Sequence, residues 1–420
     1  MPKRINKRPT RTPKKRSPDE RGPRPPQRPA PPRDASRLRP ERRKPAPALP
    51  VPTGTKSSRV GEQVYIGHVV PGLEKLATRE LTTAFGESGA EVLETLKQFD
   101  ERTSLLLFTW PGDPADLLEL TLFEDVFAVV VDRQGITGDR AALAVIQKLT
   151  AGSGLEEAVR IANILLPGNR KKPTFRVIAR KSGEHAYRRT DLRTATERAV
   201  QSRNPSWLLA EDARFEIWTQ LVQDRLIVGL RLSDETMRQR TYKTINLPAS
   251  LKPTVARAMV MLSRPADDDV FLDPMSGVGT ILLERAHAGR YAKLEGGDID
   301  PQAVAATQTN FGQRHKPFEI REWNARELPF ADGEISAIVS NLPFGKQIGS
   351  RADNQVLYPA LIKEWARVLK PGGRMVLLTS EGRLMRAALD GRPELSFEQR
   401  LPVVVRGFPA EIFVVLRLDM

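Results

Sequence analysis

From about Glu62 onward, apolar residues recur along this chain in two rhythms. VYIGHVV, SLLLFTW and VFAVVVD are short apolar runs rich in β-branched residues and predict strands. PGLEKLATRELTTAFG and DPADLLELTL place apolar residues three and four apart and predict helices. Single helices alternating with strands predict a small α+β domain over residues 61–139. From about Arg140 the pattern changes. AALAVIQKLT, GLEEAVRIANILL and DLRTATERAVQSR read as helices, and TFRVIARK as a strand. ARFEIWTQLVQDRLIVGLRL reads as two strands turning at Gln223–Asp224, a hairpin. This second unit spans 140–235, and 236–250 reads as a linker.

Residues 251–420 repeat strand then helix. VFLDP, YAKLEGGDID, FEIRE, EISAIVSN and RMVLLTS are short strands, separated by helices such as TILLERAHAG, PQAVAATQTNFG and VLYPALIKEWARVLK. SFEQRLPVVVRG and EIFVVLRLD follow with no helix between them. Five strands alternating with helices and a closing hairpin predict an α/β fold: a doubly wound, Rossmann-like sheet with an antiparallel edge hairpin.

Composition removes several chemistries. The 420 residues contain no cysteine, which excludes disulfides, thiolate metal sites and thiol nucleophiles. The four histidines, His68, His185, His287 and His315, show no ligand spacing, so no metal is expected. No apolar run is long enough to span a bilayer, and a cytoplasmic protein, monomeric by default, is the expectation. The net charge of +15 is concentrated in residues 1–60, where 19 Lys and Arg face 4 Asp and Glu; the remainder holds 47 of each sign. Proline and arginine dominate that segment, which predicts a disordered basic tail able to gather weakly onto RNA phosphates, or merely a solubilising extension.

Chemistry enters where the first strand of the last domain ends, in Asp273-Pro274-Met275-Ser276-Gly277-Val278-Gly279-Thr280. Ligands of such sheets bind beyond the carboxyl ends of the strands, and glycine at 277 and 279 lets backbone approach without a Cβ in the way. The turn has G-x-G but not GxGxxG, which favours a small ligand end, such as an amino-acid moiety, over a pyrophosphate. A tight turn with glycines for packing is the alternative. Asp298, about twenty residues on, is placed to accept two ribose hydroxyls. Asp300, followed by Pro301, reads as a helix cap. Asn324-Ala325 follows the third strand, where an adenine amino group would be recognised, although a loop asparagine is the plainer reading.

The fourth strand runs into Asn341-Leu342-Pro343-Phe344. An amino group on a base is a poor nucleophile, because its lone pair is delocalised into the ring. The Asn341 side-chain oxygen and the Leu342 carbonyl could hold its two hydrogens and favour a pyramidal nitrogen. Pro343 fixes the backbone, and Phe344 offers a face for an extruded base. The alternative is a rigid strand-end turn with Phe344 packed in the core.

DPMSGVGTILLE, GGDID and SNLPFGKQIGS resemble the THUMP-domain tRNA guanine-N2-methyltransferases, and NLPASLKPTVARAMVML resembles the pre-catalytic segment of that family. YIGHVVPGLEKLATREL resembles its N-terminal ferredoxin-like module, and TFRVIARKSGEHAYRRTDL with the later hairpin resembles the THUMP RNA-binding domain. The resemblance covers about Glu62 to Met420. It implies S-adenosyl-L-methionine as cofactor, held by Asp273, Pro274, Gly277, Gly279, Asp298, Ile299, Asn324 and Ala325. It implies Asn341, Leu342, Pro343 and Phe344 as the catalytic set. The implied substrate is tRNA gripped at its acceptor end, with a guanosine amino group methylated at the sixth nucleotide. Arg176, Arg180, Lys181, Tyr187, Arg188 and Arg189 form the expected RNA-contacting cluster, with Lys346 beside the extruded base. Ser276 stands where many relatives carry cysteine, and Asn324 where aspartate is usual. A ribosomal-RNA guanine-N2 enzyme, an adenine-N6 enzyme and a non-catalytic RNA-binding protein with a relict cofactor fold are the alternatives.

Overall fold

The computed structural model describes residues 63–86, 89–166, 168, 173–248, 250–345 and 351–419. The basic segment 1–60 and Lys346 lie outside the described residues.

Among the described residues the first elements are β1 (Val64–Val69), α1 (Glu74–Phe85), β2 (Glu91–Asp100), β3 (Thr103–Thr109) and β4 (Phe123–Arg133). Then come α2 (Ala142–Ala151), α3 (Leu155–Leu165), β5 (Thr174–Ser182), α4 (Arg189–Arg203), β6 (Leu208–Leu209), β7 (Phe215–Val222), β8 (Arg225–Arg231) and α5 (Thr236–Gln239). All eight strands share one sheet in the order β2-β3-β1-β4-β8-β7-β5-β6. Its two halves join where β4 pairs antiparallel with β8, Phe127 opposite Arg231. The turn between β7 and β8 falls at Gln223–Asp224, as the pattern predicts.

Two elements differ from the pattern. β2 is absent from the sequence reading because register shifts after Val92 and Leu96 break the period of two that marks a strand. DPADLLELTL forms only a 3₁₀ helix at Pro114–Glu119, started by the Asp113 side chain accepting from the Ala115 N–H and ended by extended backbone at Leu120.

The remaining chain builds a second sheet. Its elements are α6 (Pro253–Leu262), β9 (Val270–Asp273), α7 (Thr280–Ala286), β10 (Lys293–Asp298), α8 (Pro301–Phe311), β11 (Phe318–Glu322), β12 (Ile335–Asn341), α9 (Arg351–Val368), β13 (Leu369–Thr379), α10 (Gly382–Leu389), β14 (Leu395–Val405) and β15 (Phe408–Arg417). The order is β11-β10-β9-β12-β13-β15-β14. The first five strands run parallel, and β15 and β14 close the edge as an antiparallel hairpin. Helices cover both faces, so β12 is buried from Ile335 to Ser340, including its serines Ser336 and Ser340. The strand order reverses between β9 and β12, whose carboxyl ends therefore flank the crevice where such sheets take their ligands.

Candidate active site

Asp273 ends β9 and is 1% exposed. The Ser340 hydroxyl, from the end of β12, donates to its Oδ1 at 2.9 Å, and the Met275 N–H does so at 3.3 Å. Burial pushes this carboxyl up to about 7; the two hydrogen bonds oppose the shift and the nearby Asp298 adds to it.

The turn after Asp273 is stitched to its neighbours. Ser276 N–H donates to the Gly297 carbonyl at 2.9 Å, Gly277 N–H to Asp298 Oδ2 at 2.9 Å, and the Trp323 indole to the Pro274 carbonyl at 3.0 Å. Gly277 and Gly279 both have positive φ, 54° and 78°, but for different reasons. A Cβ on Gly277 would meet nothing within 4 Å, so this glycine faces open space. A Cβ on Gly279 would lie 2.6 Å from Thr307 Cγ2 of α8. Packing against α8 thus by itself requires glycine at 279, a demand that Gly277 does not share.

Asp298, at the end of β10, also accepts from Asp300 N–H through Oδ1 at 3.1 Å. Asp300 caps α8, accepting from Gln302 N–H at 2.9 Å. Ile299 between them is 67% exposed. Asn324 turns its side-chain oxygen into its own loop, accepting from Arg326 N–H at 3.1 Å and Arg326 Nε at 3.2 Å. That oxygen is thus engaged in holding the loop. Ala325 is buried, and its carbonyl accepts from the Trp365 indole at 2.9 Å.

Asn341 ends β12 beside Ser340. Its side-chain Oδ1 is buried and has no hydrogen-bond partner among the described residues. A buried acceptor left bare costs about 1–3 kcal/mol. The following backbone is held firmly. Leu342 N–H donates to the Leu378 carbonyl at 3.0 Å. The Pro343 carbonyl accepts from Asn354 Nδ2 at 3.0 Å and from the Tyr358 hydroxyl at 2.8 Å. Tyr358 also meets Thr379 Oγ1 at 2.7 Å, and burial pushes its hydroxyl up to about 12, so it stays a donor. Phe344 is half-buried against the main core.

Sequence reasoning did not find Asn354, Tyr358, Thr379 or Trp323, nor Asn310 of α8. Asn310 Oδ1 accepts from Thr244 N–H and Ile245 N–H at 3.1 and 2.8 Å, while its Nδ2 donates to the Ile245 and Val278 carbonyls at 3.1 and 2.9 Å. It ties the segment before α6 to the glycine turn. The four-residue spacing of Asn354 and Tyr358 on one helix was the available signal.

The expected RNA-contacting cluster does not form one surface. Arg176 pairs with Glu216 and donates to the Glu211 carbonyl at 2.8 Å. Arg180 pairs with Asp100 at 2.8 Å and lies 4.6 Å above the Trp218 ring. Lys181 is one residue further along β5 and so points to the opposite face. Tyr187 is 2% exposed, with its ring packed near His185, and presents no face for a base. Arg188 and Arg189 are exposed at the start of α4.

Among the described residues no group of histidines and carboxylates is placed to hold a metal, and no helix is long and apolar enough to cross a membrane. Residues 240–403 match the family model described as the RMKL-like methyltransferase domain, UPF0020. Over that stretch the chain is similar to that methyltransferase domain. The chain is 30% identical over 236 residues to a Bos taurus tRNA (guanine(6)-N(2))-methyltransferase THUMP3, a match covering 53% of this chain and 46% of the relative. The chain thus spans about half the length of this relative. It is 27% identical over 364 residues to a Thermus thermophilus tRNA (guanine(6)-N2)-methyltransferase, covering 83% of this chain and 98% of that one. The structure of TrmN from Thermus thermophilus superposes with a TM-score of 0.70 at 22% identity, over 85% of this chain and all of that chain. That likeness extends the shared fold beyond the methyltransferase domain to the N-terminal sheet.

Proposed function

We propose that the chain transfers a methyl group from S-adenosylmethionine to the exocyclic N2 amino group of a guanosine in tRNA, at the sixth nucleotide of the acceptor stem. The observation that carries this reading is the buried Oδ1 of Asn341, which has no hydrogen-bond partner among the described residues, beside Ser340, whose hydroxyl donates to the buried carboxyl of Asp273. The bovine and Thermus relatives, both named as tRNA (guanine(6)-N2)-methyltransferases, support this choice of base and position.

When bound, the cofactor supplies an electrophilic methyl on a sulfonium. Asp273 would take its ammonium, Gly277 its methionine end and Asp298 its ribose hydroxyls. Ile299, exposed beside Asp298, and Asn324 and Ala325 on the loop beyond would hold the adenine. Asn341 Oδ1 accepts one hydrogen of the base amine and the Leu342 carbonyl the other, which frees the nitrogen lone pair for attack. Asn354 and Tyr358 lock the Pro343 carbonyl, so those acceptors are already positioned when the base arrives. Phe344 provides the stacking face. The N-terminal regions 61–139 and 140–235 hold the acceptor end, with Arg188 and Arg189 at their surface. The protein works in the cytoplasm as a monomer.

The test is tritiated S-adenosylmethionine offered to total tRNA and total ribosomal RNA from cells lacking this protein, with nucleoside analysis of the product. N2-methylguanosine in tRNA, mapped to the sixth nucleotide, is the expected result. Label in ribosomal RNA or as N6-methyladenosine would overturn the substrate, and no label in any RNA would overturn the reading.

A further inference from the structure

The hairpin β14–β15 touches the N-terminal sheet. Val404 N–H donates to the Pro71 carbonyl at 3.0 Å, and a Cβ on Gly72 would lie 2.1 Å from the Pro402 carbonyl oxygen. Beside this seam lie two adjoining cavities of about 490 and 260 Å³, with Val404 in the wall of both. Arg351, Arg383 and Arg386 line the larger; Arg102, Lys252 and Arg406 line the smaller. These six cations come from five separate places: the β2–β3 turn, the residue before α6, the start of α9, α10 and the β14–β15 turn. They converge in a region of sequence, 61–420, whose charges balance overall at 47 of each sign.

Carboxylates answer only part of this charge. Glu381 stands 3.5 Å from Arg351, Glu411 stands 3.5 Å from Arg386, and Glu124 takes Lys252 at 2.6 Å. Each guanidinium keeps donors beyond those one carboxylate engages. Among the described residues, the side chains of Arg102 and Arg383 have no carboxylate partner, and both are exposed. Arg406 sits in the hairpin turn with φ of 54°, a conformation glycine or asparagine adopts more readily, and donates to the Ser250 carbonyl at 2.5 Å. The larger cavity reaches the catalytic turn: Ser380 in its wall donates to the Phe344 carbonyl at 3.5 Å.

We propose that the two cavities form one phosphate track, across which the RNA backbone flanking the extruded base is laid. This rests on the methyltransferase reading above. Fork-shaped guanidinium groups suit phosphate oxygens, and the contacts carry no sequence information, so they position the strand while the tetrad reads the base.

The test uses the full chain, an unmodified tRNA transcript bearing a fluorophore, and the double variant Arg102→Ala/Arg383→Ala. Binding is followed by anisotropy across a salt series, methyl transfer is assayed in parallel, and cofactor affinity is measured by calorimetry. The exposed Arg290→Ala is the control. The double variant is expected to bind tRNA about three- to tenfold more weakly, and to lower the salt slope by about 0.7–0.9 per lost contact. Cofactor affinity and the control should match the parent. An unchanged slope with methylation intact overturns the track and leaves the methyltransferase reading standing. A reduced slope with no methyl transfer by the parent overturns that reading and keeps the track. A parent that binds no tRNA at any salt overturns the track, as does a variant whose loss is equalled by Arg290→Ala. Capture of an acidic protein competing with tRNA only in the parent, with the RNA slope unchanged, would assign the cavities to a protein partner instead.

Discussion

Asn341 and Asp273 are both held where an ordinary protein would avoid placing them, one a buried acceptor with no partner among the described residues and the other a carboxyl sealed from water. Asn341→Ala removes the acceptor and leaves the backbone grip by Asn354 and Tyr358 in place. It is expected to lower kcat by roughly 10²–10³-fold, comparable to losing one preorganised hydrogen-bond partner of a transition state. Calorimetry should find cofactor affinity within about twofold of the parent; an equal loss of affinity would mark the residue as structural. Asp273 makes a pH prediction. Its folded value of about 7 lies above the ordinary 3.8, so the folded state binds the proton more tightly. The stability it contributes is complete below the ordinary value, declines as pH rises through the window up to about 7, and is flat above. The melting-temperature difference between wild type and Asp273→Asn should therefore shift in favour of the variant from pH 5 to pH 8. Cofactor binding moves the other way, because an ammonium prefers the carboxylate: wild-type affinity should strengthen with pH up to about 7 and then level.

At the scale of elements, the turn from β9 into α7 separates two glycines that look alike in sequence. Gly279→Ala drives a Cβ into Thr307 and strains a positive φ, and is expected to cost about 1–3 kcal/mol of stability, read from denaturant midpoints. Gly277→Ala has open space and should cost only the backbone strain of about 1–2 kcal/mol, with no added clash, while weakening cofactor affinity. The reverse ranking would contradict the division of roles. Asn310 shows the same scale from the other side: one side chain on α8 binds the segment before α6 and the glycine turn together.

For the whole molecule, charge is distributed by region. Removing residues 1–60 takes away 19 cations and 4 anions from a chain whose remainder is balanced. The expected result is an unchanged melting temperature and weaker tRNA binding at low salt, with the difference shrinking as salt rises. A large fall in melting temperature would show that the segment supports the fold. The seam between the two sheets carries the opposite logic, where single cations from distant stretches combine into a local field.

The methyltransferase fold was legible in the sequence because its signals are local. Buried parallel strands must be apolar runs, and each such run ends at a chemically distinctive turn, so Asp273, Asp298 and Asn341 could be singled out from order alone. Asp300 as a cap was legible for the same reason. Irregular strands such as β2 were not, since bulges erase the period that marks them. The side chains that hold the site could not be read either: Asn310, Asn354, Tyr358 and Trp323 act on backbone brought near them only by folding. Tertiary structure also decided which charges are available. It placed Arg176 and Arg180 in ion pairs and buried Tyr187, although a linear reading groups them as one basic surface. It gathered Arg102, Arg383 and Arg406 from stretches up to about three hundred residues apart. Sequence determines what each strand end can do chemically, because that depends on residue type and order; which groups meet, and which are left free to meet a substrate, depends on long-range packing.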